Sequence, residues 1–499
     1  MQDCTSVNKL QSSVRKVYRR RKMDQNKKKL LVFYTRKEET HYPFELARSV
    51  HMAIGAAGEK LCPMNGNYGI LFAEGVINTD NTIGSRGLAD LSVSLLEDGT
   101  CRLSAVATDK SENIARKQVS WISSDLEVFR SCTPTEDKAC IPQKIAFSDL
   151  QADCLPDGTE TGCVLELTDE QYERLEKKRQ RECARGKGVR FPLKKGYADP
   201  VIFQWENAWY LLATNEKTDN IGLYVRKASD IDELFAETTK EYRILGQNKK
   251  KDFIKCFWAP EFHVIGGRLW ILFAVSADQW KPQCYMMRLK EGGEICNTED
   301  WEEAKLVVDQ AGIPLAKDGI SLDMTHFSVG GMDYLVWSYR EHTGTPLDTG
   351  SMLYIAKTDA KKPWKLTSEM TLLSRPLYGW ENVNGTINNE GPNALVREGK
   401  IYLAYAGGDA RGYTYSTGIL SADITANLLD AAAWKKQTTP ALSFYSFHGV
   451  YGPGHGAFYK DEQGRDCFSF HAENAIDSRD CQIGCCQVRI DEYGSLFFE

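Results

Sequence analysis

One pattern recurs five times in the second half of this 499-residue chain. ADPVIFQWENAWYLLATNE (198–216), WAPEFHVIGGRLWILFAVSA (258–277), SLDMTHFSVGGMDYLVWSYRE (321–341), NEGPNALVREGKIYLAYAG (389–407) and YGPGHGAFYKDEQGRDCFSFHA (451–472) share one shape. Each is a short run of β-formers, a turn, and a second such run. Gly266-Gly267, Gly330-Gly331 and Glu398-Gly399 suit two-residue hairpin turns, whose central residues take positive φ. A hairpin repeated every sixty-odd residues buries its faces by stacking on its own copies. Radial stacking of such small sheets leaves only short, protected edges. Five copies therefore predict an all-β fold, a five-bladed β-propeller over residues 197–499.

Residues 30–167 read as a separate β-rich N-terminal domain. LLVFYTR (30–36) is a buried strand, LADLSVSLLEDGTCRLSAVAT (88–108) a hairpin turning at Glu97-Asp98-Gly99, and KQVSWISSD (117–125) a further strand. Residues 131–167, rich in Asp, Pro, Thr and Cys, read as a loop. Thr168-Asp169-Glu170-Gln171 forms a capping box before EQYERLEKKRQREC, predicting a solvated connecting helix and linker over 168–196.

Charge narrows the partners. Ten Lys and Arg against Asp3 and Asp24 give residues 1–29 a net +8, so the rest of this −6 chain carries −14. The basic stretch reads as a solvated tail, because no aromatic beyond Tyr18 interleaves with it. The acidic remainder argues against nucleic acid as partner. No apolar run reaches the roughly 18 residues of a membrane span. Translation from Met23 would remove most of the tail. No apolar segment near the start reads as a secretory signal, although a signal removed beforehand stays open. Fifteen cysteines without a CxxC pair suit free thiols, hence a reducing cytoplasmic compartment.

Three hairpins open on carboxylates: Asp199, Asp323 and Glu390. Inner strands of a propeller converge on one axis, so equivalent positions meet. Carboxylates gathered in a cleft shift one another's pKa, leaving one protonated to donate and one ionised to activate water. That division is the chemistry of glycosidic bond cleavage.

These motifs together resemble the family 43 glycoside hydrolases. The resemblance covers residues 197–499 through Ala198-Asp199-Pro200, Trp258-Ala259-Pro260-Glu261, Ser321-Leu322-Asp323-Met324-Thr325, Asn389-Glu390-Gly391-Pro392 and Gly452-Pro453-Gly454-His455. The flanks KPWKLTSEMTLLSRPLYGWE (362–381) and ANLLDAAAW (426–434) look like the exo-acting α-L-arabinofuranosidase branch. YTRKEETHYPFELARSVHMAIG resembles a β-domain attached to some bacterial members. The resemblance implies Asp199 as general base, Glu390 as general acid and Asp323 as the group that keeps the acid's pKa high. It implies hydrolysis with inversion, releasing arabinofuranose from plant cell-wall arabino- or xylo-oligosaccharides.

Trp258, Glu261, Trp337 and His455 are the expected substrate-binding residues. The reaction requires no cofactor, and a structural calcium at His455 is an option drawn from relatives. Three departures stand out: Glu473 where relatives often carry arginine after Tyr-His-Ala, Gly456 where they carry asparagine, and Gly-Thr-Ile-Asn-Asn at 385–389. Glu182-Cys183, which matches the acid motif of retaining fructosidases, lies in the polar helix and is set aside. A β-xylosidase of the same family, and a sugar-binding propeller without turnover, are the alternatives.

Overall fold

The computed structural model describes residues 27–110, 116–133, 140–141, 145–184, 186, 188–491 and 494–499. Residues 1–26 of the expected basic tail lie outside the described residues. Of its last members, Lys27 and Lys28 pair with Glu59 and Glu166, and Lys29 opens the first strand. The chain divides into two units: Met1–Ile77, Gly84–Arg185 and Leu377–Gly385 form one, and Asn78–Ile83, Gly186–Pro376 and Thr386–Glu499 the other.

The second unit holds five antiparallel sheets, and each sequence hairpin supplies the first two strands of one. Sheet I runs Tyr197–Trp205, Ala208–Asn215, Gly222–Ala228, Glu241–Gly246. Sheet II runs Lys255–Ile265, Arg268–Ser276, Gln283–Arg288, Lys305–Leu306. Sheet III runs Gly319–Val329, Met332–Glu341, Met352–Thr358, Thr371–Ser374. Sheet IV runs Asn389–Arg397, Lys400–Gly407, Ser416–Asp423, Lys435–Lys436. Sheet V runs Tyr451–Lys460, Asp466–Glu473, Gln482–Ile490, and takes Arg190–Lys195 as its outer strand. Residues 190–195, counted with the linker on sequence, thus belong to the last sheet. Inner strands touch in the order I, II, III, IV, V, and that of V also touches that of I.

Second strands such as AWYLLATN and RLWILFAVS are apolar almost throughout and buried almost end to end. A strand covered on both faces by neighbouring sheets loses the polar–apolar alternation of a half-exposed one. Apolar clusters fill the gaps: Leu212, Val225, Phe262 and Phe273 between I and II, Trp270, Met286, Leu335 and Trp337 between II and III. Tyr402, Phe468 and Phe470 lie between IV and V, and Trp209, Leu211 and Ile483 between V and I. Each such side chain contributes about 1.5–3 kcal/mol by burial. Sheets III and IV meet instead through hydrogen bonds, Ser351 Oγ to Asn388 (3.1 Å), Arg340 to Asn388 (3.1 Å) and Ser374 Oγ to Asn389 (2.7 Å).

The first unit contains two sheets, one ordered Thr159–Leu167, Lys29–Arg36, His51–Ala56, Cys62–Pro63, the other built on the hairpin Gly87–Leu96 and Cys101–Thr108. The strand at 159–167 corrects the loop expected there. The capping box forms as read, with reciprocal bonds of 3.0 and 3.2 Å between Thr168 and Gln171. The helix Asp169–Ala184 is not solvated all round, however. Leu175 is fully buried in the core of this unit and Tyr172 packs against it. Arg174 and Lys178 add hydrogen bonds to the Asp125 and Glu127 carbonyls, both 2.9 Å.

Candidate active site

All five inner strands break register at one place. The ladder skips between Ala198 and Val201, Trp258 and Glu261, Leu322 and Thr325, Glu390 and Asn393, and Gly454 and Ala457. The second residue of each bulge sits in the left-handed region: Asp199 at φ 53°, Ala259 at 44°, Asp323 at 55°, Gly391 at 55° and His455 at 43°. Strain of about 1–3 kcal/mol at such a residue is tolerated where the surroundings over-determine it, commonly at functional sites. Bulges re-aim side chains, and here they aim Asp199, Asp323 and His455 together. Glu390 corrects the sequence reading in one respect. It occupies the first bulge position, equivalent to Ala198, Trp258 and Leu322, one residue before that of Asp199 and Asp323.

Backbone donors from one bulge cap the preceding sheet. The Gly391 N–H of sheet IV donates to Asp323 Oδ2 of sheet III (3.2 Å). The Ala259 N–H of sheet II donates to Thr214 Oγ1 (2.8 Å), which in turn donates to Asp199 Oδ2 of sheet I (2.5 Å). Asp199 Oδ1 faces two imidazoles, His455 Nδ1 at 3.1 Å and His471 Nδ1 at 3.4 Å. Burial by itself would raise the Asp199 pKa; the two histidines and the Thr214 hydroxyl outweigh it and hold the carboxyl below its ordinary range. Asp199 in turn raises the pKa of His471 against the opposing effect of burial.

The other two carboxyls go the opposite way. Burial, then the charges of Glu390 and Asp199, push Asp323 well above the ordinary carboxylate value. Burial pushes Glu390 up as well, opposed by His455, by the Tyr415 hydroxyl and by Arg340. Tyr415 donates to Glu390 Oε1 at 2.9 Å. Burial and the nearby carboxyls raise its own pKa, so it stays a donor. Its ring lies flat on Gly454, where a Cβ would come within 2.3 Å of it, and stacks on His471 at 5.4 Å. Arg340 is fixed by a bidentate pair to Asp348, both bonds 2.8 Å.

The remaining expected residues divide. Trp258 is half-buried against Ala274, Ile320 and Leu322, as a wall residue would be. His455 abuts Asp199, with its ring against Gly391, where a Cβ would lie 2.6 Å away; it orients the carboxylate. Glu261 does not offer itself to a ligand. It sits at the fourth bulge position, 6% exposed, with Oε2 on His263 (2.6 Å) and Oε1 accepting from Asn393 (3.1 Å). Trp337 is 0% exposed among the apolar side chains between sheets II and III, which removes it from any binding role. Glu182 accepts from the Asn65 N–H in the first unit.

Thr214, Tyr415 and His471 were not singled out for the site on sequence. Only His471 carried a signal, through Phe470-His471-Ala472-Glu473. Glu473 folds onto its own loop, accepting from Ser478 Oγ (3.1 Å) and the Arg479 N–H (3.0 Å), while Arg340 acts with His455 on Glu390. Gly456 has a steric reason: a Cβ there would lie 1.8 Å from the Ser469 carbonyl oxygen, so asparagine has no room. The calcium option at His455 finds few free side-chain oxygens nearby. Calcium takes six to eight oxygens, whereas Asp199 Oδ1 faces imidazoles and both Glu261 oxygens are engaged. Among the described residues no group of three or more His, Cys, Asp or Glu is placed to hold a metal.

Two curated relatives match part of this chain. The extracellular exo-α-(1→5)-L-arabinofuranosidase of Streptomyces avermitilis is 33% identical over 290 residues, 57% of this chain and 56% of that protein. The protein of the same name from Streptomyces chartreusis is 33% identical over 285 residues, 56% of this chain and 81% of its own length. The chain thus spans little more than half of the S. avermitilis relative. A solved α-L-arabinofuranosidase from Lactobacillus brevis superposes with a TM-score of 0.54 at 25% identity, covering 62% of this chain and 95% of its own. The family model "Glycosyl hydrolases family 43" matches residues 190–491, starting at the outer strand of sheet V and taking in Asp199, Asp323 and Glu390. With that match over more than half its length, the chain belongs to glycosyl hydrolases family 43.

Proposed function

We propose that this chain is an inverting glycoside hydrolase that releases terminal α-L-arabinofuranosyl units from arabinan- or arabinoxylan-type oligosaccharides. We take its five sheets to close as a five-bladed β-propeller, and the β-rich N-terminal part to be a domain of its own. The observation that carries the reading is the opposite tuning of Asp199 and Glu390 on the inner-strand bulges of sheets I and IV. Near neutral pH Asp199 is ionised, and the buried Asp323–Glu390 pair binds its protons more tightly. Asp199 takes a proton from water as the water oxygen bonds to the anomeric carbon. The glycosidic C–O bond breaks on the opposite face, and the Glu390 proton passes to the leaving oxygen. Asp199 ends protonated and Glu390 ionised; exchange with solvent resets both. Tyr415 steadies Glu390 in both states, and Thr214 with the two histidines fixes the face that Asp199 presents to water.

The names of the relatives support arabinofuranose as the sugar released. Both Streptomyces relatives are called extracellular, which supports an exported enzyme; thirteen cysteines held as thiols favour a reducing compartment, and we place this chain there. Hydrolysis of p-nitrophenyl α-L-arabinofuranoside, arabino-oligosaccharides and p-nitrophenyl β-D-xylopyranoside tests the specificity, with the arabinosides expected to react faster. Proton NMR of the earliest product is expected to show β-L-arabinofuranose. An initial α-anomer would overturn the inverting mechanism, and faster turnover of the xyloside would overturn the sugar assignment.

A further inference from the structure

Trp280 leaves 42% of its surface exposed, although a large aromatic ring ordinarily finds cover. It sits in the loop 277–282, between the second and third strands of sheet II. The inner strand of that sheet pairs Lys255 with Ser276 at one end and Ile265 with Arg268 at the other. The bulge at Ala259 and the wall residue Trp258 lie nearer the Ser276 end, so the loop after Ser276 rises at the end where the carboxylates gather. The corresponding loop of sheet IV, 408–415, delivers Tyr415 to Glu390.

The loop is held in place. Ser276 is fully buried, and its hydroxyl receives the Lys281 N–H at 2.8 Å. The Pro282 carbonyl accepts the Ser321 N–H at 3.1 Å, two residues before Asp323. An exposed ring is thus carried on an anchored loop, between strand starts that carry a wall residue and a site carboxylate. An aromatic face on such a loop loses little conformational entropy when a flat, partly apolar partner lies on it.

We propose that Trp280 is a stacking platform for a sugar unit of the oligosaccharide beyond the one held at the carboxylates. It would set a preference for chains over single glycosides. The proposal rests on the arabinofuranosidase reading. Trp280→Ala and Trp280→Phe, made in the full chain, are to be compared with the wild type on arabinotriose and on methyl α-L-arabinofuranoside, whose leaving group offers no ring. We expect Trp280→Ala to raise KM for arabinotriose about tenfold, in keeping with one aromatic contact, with kcat and the kinetics of the methyl glycoside unchanged. Trp280→Phe should recover most of the loss. Unchanged KM for arabinotriose in Trp280→Ala overturns the platform and leaves the activity standing. Equal losses on both substrates with a lower Tm overturn it as well, by showing a structural role for the indole. A wild-type chain that cleaves neither substrate overturns the arabinofuranosidase reading, and the platform with it.

Discussion

Around Asp199 and around Glu390 the same fold builds two opposite environments. Asp199 accepts from the Thr214 hydroxyl and faces the imidazoles of His455 and His471. Glu390 has one neutral donor, Tyr415, shares its burial with a second carboxyl, and feels its cations at a remove. Both carboxyls are desolvated, and desolvation alone raises both pKa values. The difference lies in the partners. Two imidazoles and a hydroxyl reverse the effect of burial at Asp199, whereas at Glu390 burial prevails. Acid and base are therefore assigned by what surrounds each carboxyl rather than by residue type.

The largest expected effect is on turnover. Asp199→Asn and Glu390→Gln each should lower kcat by about 10²- to 10⁴-fold, with the circular dichroism spectrum retained. Near-full activity in either variant would break the assignment. The next effect separates the two sides by pH. Thr214→Val deletes a hydrogen bond that lowers the Asp199 pKa, so the acidic limb of kcat/KM should move to higher pH. Tyr415→Phe deletes one that lowers the Glu390 pKa, so the basic limb should move up instead. Thr214→Val loses a bond to a charged group, worth about 1.5–3 kcal/mol. A shift of the acidic limb in Tyr415→Phe, or of the basic limb in Thr214→Val, would mean that the roles are reversed.

Stability should follow the same division more weakly. Folding lowers the Asp199 pKa from its ordinary 3.8, so its stabilisation is present above that pH and fades as pH falls through the folded value. Folding raises the Glu390 pKa from 4.5, so the folded state is penalised as pH rises from there through the folded value. The Tm deficit of Asp199→Asn relative to wild type should therefore shrink in acid. Glu390→Gln should gain Tm relative to wild type as pH rises above about 4.5. Thermal melts across that range check both; parallel curves for the two variants would erase the contrast between the sites. The smallest effect concerns the helix Asp169–Ala184. Leu175→Ala should lower stability by about 2–5 kcal/mol with activity unchanged, read by Tm and kcat together.

The repeat made much of this legible. Five hairpins with their turns announced five sheets, and the motifs at their starts named Asp199, Asp323 and Glu390. The strand at 159–167 escaped because Asp and Pro residues around it read as loop. Arg190–Lys195 escaped because its partner, Gln482–Ile490, lies some 290 residues away in sequence. Trp337 was misplaced for a related reason. A tryptophan in a strand looks alike whether it faces a ligand or the next sheet, and only the stacking of II on III buries it.

By itself, the sequence determined the secondary structure of the repeats and the residues able to do acid–base work, because both depend on local pattern and residue type. Tertiary structure alone decided which carboxyl holds a proton. Asp199 meets His471 across 272 residues of chain, and Glu390 meets Tyr415 from the loop 408–415 of its sheet. A pKa depends on the charges, donors and desolvation within a few ångströms of the group, and long-range packing sets all three.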